Sequence, residues 1–265
     1  MLKLDGLWKY FNRNTINEMV ALRNLSLEIG PGEAVMVVGS NGAGKSTLLN
    51  VIAGVFPPDQ GSITLAGTDI TSRREYRRAA FVARVFQDPL AGTAASMTLE
   101  ENLVLALRRG ESRRLRRAIR AREREFFQER LASLGLGLEN RLIEKVGLLS
   151  GGQRQAVALL MATLKEPRVL LLDEPTAALD PKTASLVTSL IQRIITGQRL
   201  TTLMVTHDLK QALELGSRIV MMDAGQIVMD VAGEEMAAMD VDDLLLLFEK
   251  GSGRRLTTDR VVLAQ

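Results

Sequence analysis

The chain has 265 residues, 46% of them hydrophobic and 25% charged, and a formal net charge of +3. These values are typical of globular proteins and exclude a largely disordered chain, and no apolar run approaches the roughly 18 residues that a membrane-spanning helix needs. The absence of cysteine excludes disulfides, thiolate metal ligands and a cysteine nucleophile. The charge is too small to indicate nucleic acid, and no signal peptide is recognisable, so we expect one large cytosolic domain.

The first part of the chain alternates short apolar stretches with turn signals. We predict a strand over 21–30 and a buried strand over 33–39 that runs into a glycine-rich loop. The next segment, 45–54, has the apolar spacing of a helix and ends on a glycine. A small hairpin is expected over 61–70.

The pattern changes between residues 88 and 150, where the chain becomes charged and helical. We interpret 88–150 as a helical lobe inserted into an α/β core that comprises residues 1–87 and 151–265. Two more buried strands, over 168–174 and 200–208, are each joined by a helical crossover and indicate a mainly parallel sheet.

The sequence GSNGAGKS at 39–46 lies between a buried strand and a helix, where a phosphate-binding loop is expected. Its glycines let the backbone bend so that successive N–H groups point at phosphate oxygens, and the helix N-terminus adds positive charge. Lys45 is expected to reach the β- and γ-phosphates, and the Ser46 hydroxyl to bind Mg²⁺. The candidate residues of the loop are Gly39, Ser40, Asn41, Gly42, Ala43, Gly44, Lys45, Ser46 and Thr47.

The segment VLLLDE places two acidic residues at the carboxyl end of another buried strand. Ligands of parallel sheets collect at this edge, where the carboxylate of Asp173 is expected to hold Mg²⁺ through water. Glu174 is the candidate for polarising the attacking water, because two adjacent carboxylates serve the metal and the nucleophile separately. The alternative is that the two residues form an acidic cap on the following helix.

Two further polar residues end apolar stretches of the same kind. His207, the only histidine, ends the strand LTTLMVTH. We expect it to hydrogen-bond the γ-phosphate and to hold the water and Glu174 in line, although a lone histidine also fits a structural role. Gln87 in RVFQDP is a candidate for contacting Mg²⁺ or the water, because a neutral amide does so without adding charge.

Together these residues resemble the ATP-binding subunit of ABC transporters, and the resemblance covers nearly the whole chain. In that family GSNGAGKST is the Walker A loop, VLLLDE the Walker B strand and LSGGQ, at 149–153, the signature motif. Gln87, Asp180 and His207 match the Q, D and H loops. The resemblance implies an α/β P-loop NTPase core with a mainly parallel sheet, an N-terminal antiparallel β subdomain and an inserted α-helical lobe. It also implies an ATPase that uses ATP and Mg²⁺.

The resemblance implies a dimer, formed with a second copy of the chain or with a paralogous ATPase. Two subunits pack head to tail in the family, so that each signature motif covers the γ-phosphate held by the partner's Walker A loop. The Ser150 side chain and the N–H groups of Gly151 and Gly152 are expected at a helix N-terminus, which suits a phosphate, and Gln153 completes the motif. Asp180 is expected to reach across and couple the two sites.

The family usually stacks the adenine ring on an N-terminal aromatic residue, and LWKYF offers three. Position relative to the following strand favours Phe11, while Tyr10 and Trp8 stay open because stacking tolerates any aromatic ring. The alternative for Phe11 is aromatic packing at a sheet edge.

Transport by such a chain requires separate permease subunits in the membrane. The segments TTLMVTHDL, TLEENL and LLMATL are most similar to ATPases of bacterial amino-acid importers, which implies an extracytoplasmic solute-binding protein as a further partner. The expected location is peripheral, on the cytoplasmic face of the inner membrane, with no nucleic-acid partner. An ABC exporter and a soluble regulatory ABC ATPase are the alternatives.

An arginine-rich stretch between residues 108 and 130 has two interpretations. Interleaved acids at helical spacing favour a solvated helix face with intrahelical ion pairs. The alternative is a surface for anionic lipid headgroups or nucleic acid. The arginines are Arg108, Arg109, Arg113, Arg114, Arg116, Arg117, Arg120, Arg122, Arg124 and Arg130.

Overall fold

The computed structural model describes residues 1–111 and 119–252, and the chain divides into two compact units. Unit 1 comprises residues 1–78 and 199–265, and unit 2 comprises residues 79–198. The predicted lobe lies inside unit 2, which extends beyond the lobe at both ends. The predicted limits of the lobe therefore stay a prediction.

The first sheet of unit 1 is antiparallel, and its strands follow the order β2-β1-β4-β5. Alternate residues of β1, such as Leu2 and Leu4, are buried, because successive side chains of a strand point to opposite faces. The strand and the hairpin predicted before residue 70 are confirmed. The strands are β1 Leu2–Phe11, β2 Met19–Ile29, β4 Gln60–Leu65 and β5 Thr68–Asp69.

The second group of strands in unit 1 centres on β3, Ala34–Gly39, in which all six residues are buried. A continuous apolar run of this kind is typical of a parallel strand that is covered on both faces. Strand β3 pairs in parallel with β8 and β9, and β10 adds to β9 as an antiparallel hairpin. The three partners are β8 Thr202–Val205, β9 Arg218–Asp223 and β10 Gln226–Ala232.

Unit 1 contains five helices among the residues that the structure describes. Helix α1 follows β3 and ends, as predicted, before Gly54, which adopts the left-handed conformation of a helix C-cap. The helices are α1 Lys45–Ala53, α2 Glu75–Arg78, α7 Leu209–Leu215, α8 Gly233–Ala237 and α9 Val241–Ser252.

A buried arginine holds the end of α1. Arg78 is fully buried and donates to the carbonyls of Val51 and Ile52 in the last turn of the helix, at 2.8 and 2.7 Å. Its other donors bond the carbonyls of Thr71 and Arg73. Burial lowers the pKa of Arg78 to about 10, so the guanidinium is still charged at neutral pH. Helix α1 is therefore fixed at its carboxyl end by a cation that matches its dipole.

Unit 2 pairs β6 with β7 in parallel, and helix α5 packs against β6. Thr98 and Glu101 form a capping box that starts α3, where each side chain accepts from the other residue's backbone N–H. The elements are β6 Val82–Val85, α3 Leu99–Leu107, α4 Ala121–Ala132, a 3₁₀ turn Val146–Leu148, α5 Gly151–Thr163, β7 Val169–Asp173 and α6 Pro181–Gln198. None of the helices in residues 1–111 and 119–252 has both the length and the apolar character needed to cross a bilayer.

In the described part of the arginine-rich stretch, ion pairs of Arg108 and Arg124 join α3, or the residue that follows it, to α4. Arg124 in α4 makes two hydrogen bonds to Glu100 in α3, at 2.6 and 3.0 Å, and Arg108 pairs with Glu123 at 2.9 Å. Arg109 donates to the carbonyl of Ala162 near the end of α5. Three of the arginines therefore hold unit 2 together. Arg113, Arg114, Arg116 and Arg117 lie outside the described residues.

Candidate nucleotide-binding site

The phosphate-binding loop joins β3 to α1 in unit 1, and two of its glycines are required by the backbone. Gly39 has φ +149°, and a Cβ there would collide with the carbonyl oxygen of Met222. Gly44 has φ +99°, and a Cβ would collide with the carbonyl oxygen of Ala21. A larger residue at either position would push the loop out of its conformation.

The start of α1 is open to an anion. Gly44 is its N-cap residue and supplies no side-chain hydrogen bond to the first turn. The first N–H groups of a helix have no acceptor within the helix, so a phosphate is their natural partner. Behind the loop, the N–H of Gly225 in the β9–β10 turn donates to the carbonyl of Ala43 at 3.0 Å. The loop is thus braced on one side and presents Asn41 and Gly42 to solvent on the other.

Lys45 is buried, with 7% of the residue exposed. Its ammonium donates to the carbonyls of Gly39 at 2.6 Å and Ser40 at 3.0 Å. The backbone of the loop therefore holds the cation at the entrance of α1, where the positive end of the helix dipole also lies. This arrangement fits the β- and γ-phosphates of a nucleotide.

His207 lies at the edge of the sheet from which the phosphate-binding loop leaves. Val37 of β3 is the register partner of Val205 of β8, and the N–H of Thr206 donates to the Val37 carbonyl at 3.2 Å. Gly39 and His207 each come two residues after this pair. Asp208, the next residue, caps α7. The structure therefore brings the loop and His207 together at one edge of unit 1, as predicted from their positions after buried strands.

The three N-terminal aromatic residues make different contacts. Phe11 packs edge to face against Phe56, with ring centroids 5.4 Å apart, and the Lys9 ammonium lies 6.0 Å from the Phe11 ring. Trp8 and Tyr10 instead stack on one another at 5.9 Å with nearly parallel rings. Phe11 is partly exposed, so it retains ring surface for a ligand. Its assignment to adenine stays a proposal.

In unit 2 the candidate residues for the metal and the water follow β6 and β7. Val85 pairs with Leu172 in parallel, so Gln87 and Glu174, each two residues further on, leave the same edge. Asp173 ends β7, and Glu174 has φ +43°, a left-handed conformation that costs a non-glycine residue free energy. Backbone strain of this kind is frequent at functional sites.

The signature segment begins α5 in unit 2 with a capping box. The hydroxyl of Ser150 accepts from the N–H of Gln153 at 3.3 Å, and the side chain of Gln153 accepts from the N–H of Ser150 at 3.2 Å. Gly152 is buried, and a Cβ there would collide with the side chain of Thr183 in α6. Gly151 is exposed, and a Cβ there would lie 3.7 Å from Leu179, an ordinary contact. The two glycines therefore have different structural roles.

Asp180 is exposed just before α6. Its carboxylate accepts from the N–H of Thr183 at 3.1 Å. Hydrogen bonds from the Thr183 side chain and backbone hold the pKa of Asp180 below its usual value. In the described structure this carboxylate acts as a helix cap, and its coupling role stays a proposal.

A sequence model of the ABC transporter family matches residues 22–177, more than half of the chain. The chain belongs to the ABC transporter family. A tyrosine transport ATP-binding protein from Clostridioides difficile (strain R20291) is 45% identical over 249 residues, which cover 94% of this chain and 99% of that protein. The lipoprotein-releasing system ATP-binding protein LolD from Cereibacter sphaeroides is 36% identical and covers 86% of this chain and 99% of its own.

Among solved structures, the ATP-binding cassette MJ0796, dimeric in a post-hydrolysis state with ADP and Pi, matches with a TM-score of 0.74. It is 30% identical and covers 88% of this chain and 98% of its own. The predicted fold class is confirmed, and so is the assignment as an ABC ATPase, an enzyme that binds ATP and couples its hydrolysis to transport.

Magnesium, which the ABC family implies, fits the chemistry of three candidate ligands. Ser46 offers a hydroxyl, Gln87 an amide oxygen and Asp173 a carboxylate, and hard oxygen donors of this kind suit Mg²⁺. No cluster of three or more histidine, aspartate or glutamate residues suited to a metal occurs in the described part of this cysteine-free chain. Ser46 belongs to unit 1, whereas Gln87 and Asp173 belong to unit 2.

One residue of the ABC ATPase's candidate site is absent from the sequence-based list. Arg84 in β6 forms an ion pair with Asp173, with Nη2 and Oδ2 2.6 Å apart. The sequence contains a local signal, because a charged residue interrupts the apolar strand VARV. Its partner is not readable from the sequence, since it depends on the register of β6 against β7.

Proposed function

We propose that this ABC ATPase hydrolyses MgATP in a head-to-tail dimer and thereby drives the import of an amino acid through separate permease subunits. The observation that carries the hydrolysis part is the phosphate-binding loop, in which Lys45 is held at a helix N-terminus that has no side-chain cap. The proposed location is peripheral, on the cytoplasmic face of the membrane, with an extracytoplasmic solute-binding protein in the complex.

Each candidate residue has a proposed role in the reaction. Lys45 neutralises charge on the β- and γ-phosphates, and Glu174 accepts a proton from the water that attacks the γ-phosphorus. The bond from the γ-phosphorus to the bridging oxygen breaks, and ADP leaves with that oxygen. His207 donates a hydrogen bond to the γ-phosphate and Phe11 stacks on adenine.

The remaining residues are proposed to bind the metal and to join the two subunits. Mg²⁺, held by Ser46, Gln87 and Asp173, would neutralise charge on the β- and γ-oxygens. The signature segment, residues 150–153, is proposed to contact the γ-phosphate of the partner subunit's nucleotide. Asp180 is proposed to couple the two nucleotides across the dimer.

The decisive variant for hydrolysis is Glu174→Gln. We expect it to bind ATP, to lose ATPase activity by about 100-fold or more, and to accumulate as an ATP-dependent dimer. Sedimentation with and without MgATP measures the dimer, and phosphate release measures the rate. Glu166→Gln is the matched control, because Glu166 is exposed in unit 2 and has φ +44°, like Glu174. Normal turnover in Glu174→Gln would remove Glu174 from its proposed role.

Amino-acid import is supported by the relative from Clostridioides difficile, which is named for tyrosine transport and aligns over almost the full length of both chains. The similarity to LolD, which is named for lipoprotein release, favours a second candidate in which the complex removes a lipoprotein from the membrane. Affinity purification of the tagged protein from gently solubilised membranes separates the two. A co-purifying solute-binding protein with a permease supports import, whereas a permease without one, together with bound lipoprotein, supports release.

A further inference from the structure

The ion pair between Arg84 and Asp173 is largely shielded from water. The side chains are 12% and 14% exposed, and Nη2 of Arg84 lies 2.6 Å from Oδ2 of Asp173. The guanidinium also lies over the ring of Phe86, 4.7 Å from its centroid. A carboxylate at this depth is unfavourable without a counter-charge, and Arg84 supplies that charge.

Arg84 also contacts the segment that leads from β6 to Gln87. The carbonyl of Phe86 accepts from Nε2 of Gln155, a fully buried residue of α5, at 3.1 Å. A chain of contacts therefore runs from α5, which begins with the signature segment, through Phe86 to Arg84 and Asp173. All of these residues belong to unit 2.

We propose that Arg84 is a positioning residue that supplies the counter-charge of Asp173 in the nucleotide-free protein and yields this role to Mg²⁺ when MgATP binds. The inference rests on the proposed function in one respect, the binding of Mg²⁺ by Asp173. Two cations then compete for one carboxylate, and their mutual repulsion in a partly buried site adds to the competition. Arg84 thus occupies the Asp173 carboxylate until the metal arrives and lowers the affinity of the site for Mg²⁺.

The test compares Arg84→Met with Arg84→Lys. Methionine removes the charge, whereas lysine keeps a positive charge that can pair with the Asp173 carboxylate. Mg²⁺ is titrated at a fixed concentration of a fluorescent ATP analogue, and the thermal midpoint is measured without nucleotide or metal. Arg141→Met is the control, because it breaks an exposed ion pair with Glu144 in the same unit.

We expect Arg84→Met to lower the Mg²⁺ concentration at half-saturation by about fivefold or more and to lower the thermal midpoint of the ligand-free protein. Arg84→Lys and Arg141→Met should titrate like the parent protein. If Arg84→Met does not fold, Arg84→Gln replaces it, since glutamine keeps a hydrogen-bond donor without the charge.

An unchanged or raised half-saturation concentration in the uncharged variant would overturn the inference. Asp173→Asn tests the underlying assignment separately. If Asp173→Asn binds the analogue with the same Mg²⁺ dependence as the parent protein, the proposed role of Asp173 fails, and the inference fails with it. If that variant loses the Mg²⁺ dependence and Arg84→Met leaves it unchanged, only the inference about Arg84 fails.

Discussion

Two helix N-termini in this molecule are proposed to bind phosphate, and they differ in how their first N–H groups are satisfied. Helix α1 in unit 1 begins after Gly44, which contributes no side-chain cap. Helix α5 in unit 2 begins after Ser150, whose hydroxyl accepts from the Gln153 N–H while the Gln153 side chain accepts from the Ser150 N–H, which completes a capping box. The first end is open, and the second is closed by its own residues.

The difference indicates different tasks. Helix α1 has no side-chain cap and Lys45 is held at its N-terminus, so this end is suited to bind phosphates in a single subunit. A helix N-terminus with a side-chain cap is stable without a ligand. It therefore suits a surface that binds nucleotide only when the partner subunit supplies it. The Ser150 hydroxyl accepts from the Gln153 N–H, and its own O–H is a donor that suits the phosphate of a partner's nucleotide.

The largest expected effect is at the open end. Lys45→Ala removes a charge-assisted contact to each of two phosphates, and we expect ATP to bind a separate subunit about 100-fold more weakly. Equilibrium binding of a fluorescent ATP analogue measures the loss. Lys210→Ala, at an exposed position of α7 in unit 1, should bind like the parent protein. Equal binding by Lys45→Ala would contradict the proposed role of the loop.

The second prediction separates the two glycines at the closed end. Gly152→Ala places a methyl group against Thr183, and we expect a loss of about 1–3 kcal/mol in the free energy of unfolding. Thr183 is β-branched and bonds the Asp180 carboxylate, so it does not move away freely. Gly151→Ala should unfold like the parent protein, and Thr183→Ser should recover part of the loss in Gly152→Ala. Urea unfolding of the parent protein and of these three variants checks the prediction. Equal stability of the two alanine variants would be inconsistent with this packing.

The third prediction concerns the capping box. Ser150→Ala removes one partner of the pair and should cost about 1 kcal/mol of unfolding free energy, as is usual for an N-cap residue. Binding of ATP to the separate subunit should not change, because the hydroxyl belongs to the closed end. The same fluorescent binding assay checks this, and a weakening comparable to that in Lys45→Ala would show that the two ends do not have separate tasks.

The smallest expected effect is at a third helix start, α6, which Asp180 caps. Hydrogen bonds from Thr183 lower the pKa of Asp180 in the folded protein. The ionised cap therefore contributes its full stabilisation at pH values above the ordinary aspartate pKa. That contribution is lost as the pH falls through the lowered pKa of the folded protein. Asp180→Asn should match the parent protein at neutral pH and lose less stability than the parent between pH 5 and pH 2. Urea midpoints at several pH values test this, and parallel pH profiles would contradict it.

The buried strands β3, β7 and β8 were predictable because each is a short, largely apolar run of strand length, a pattern consistent with a strand buried on both faces. The loop at 39–47 and His207 were predictable as neighbours, since both follow strands that pair in parallel. The capping box at Ser150 is also readable, because serine followed three residues later by glutamine is a local pattern.

Contacts between distant segments were not predictable in this way. The pair Arg84 and Asp173 depends on strand register, and the pairs made by Arg108 and Arg124 depend on how α3 and α4 pack. The contact of Phe11 with Phe56, which lies after α1, was likewise not predictable from the sequence. Side-chain partners of this kind are set by tertiary structure and leave little trace in local sequence.

The central claim is that the open end of one subunit and the closed end of its partner form one ATP site. Two variants, both carrying Glu174→Gln so that ATP is not consumed, test it by mixing: one adds Lys45→Ala and the other adds Ser150→Phe. In a dimer of either variant alone, every ATP site carries one altered half. In a mixed dimer, one site carries both altered halves and the other site is intact. Sedimentation should show ATP-dependent dimers in the mixture and none in either variant alone. A mixture that stays monomeric with ATP, under conditions in which Glu174→Gln alone dimerises, would contradict the claim.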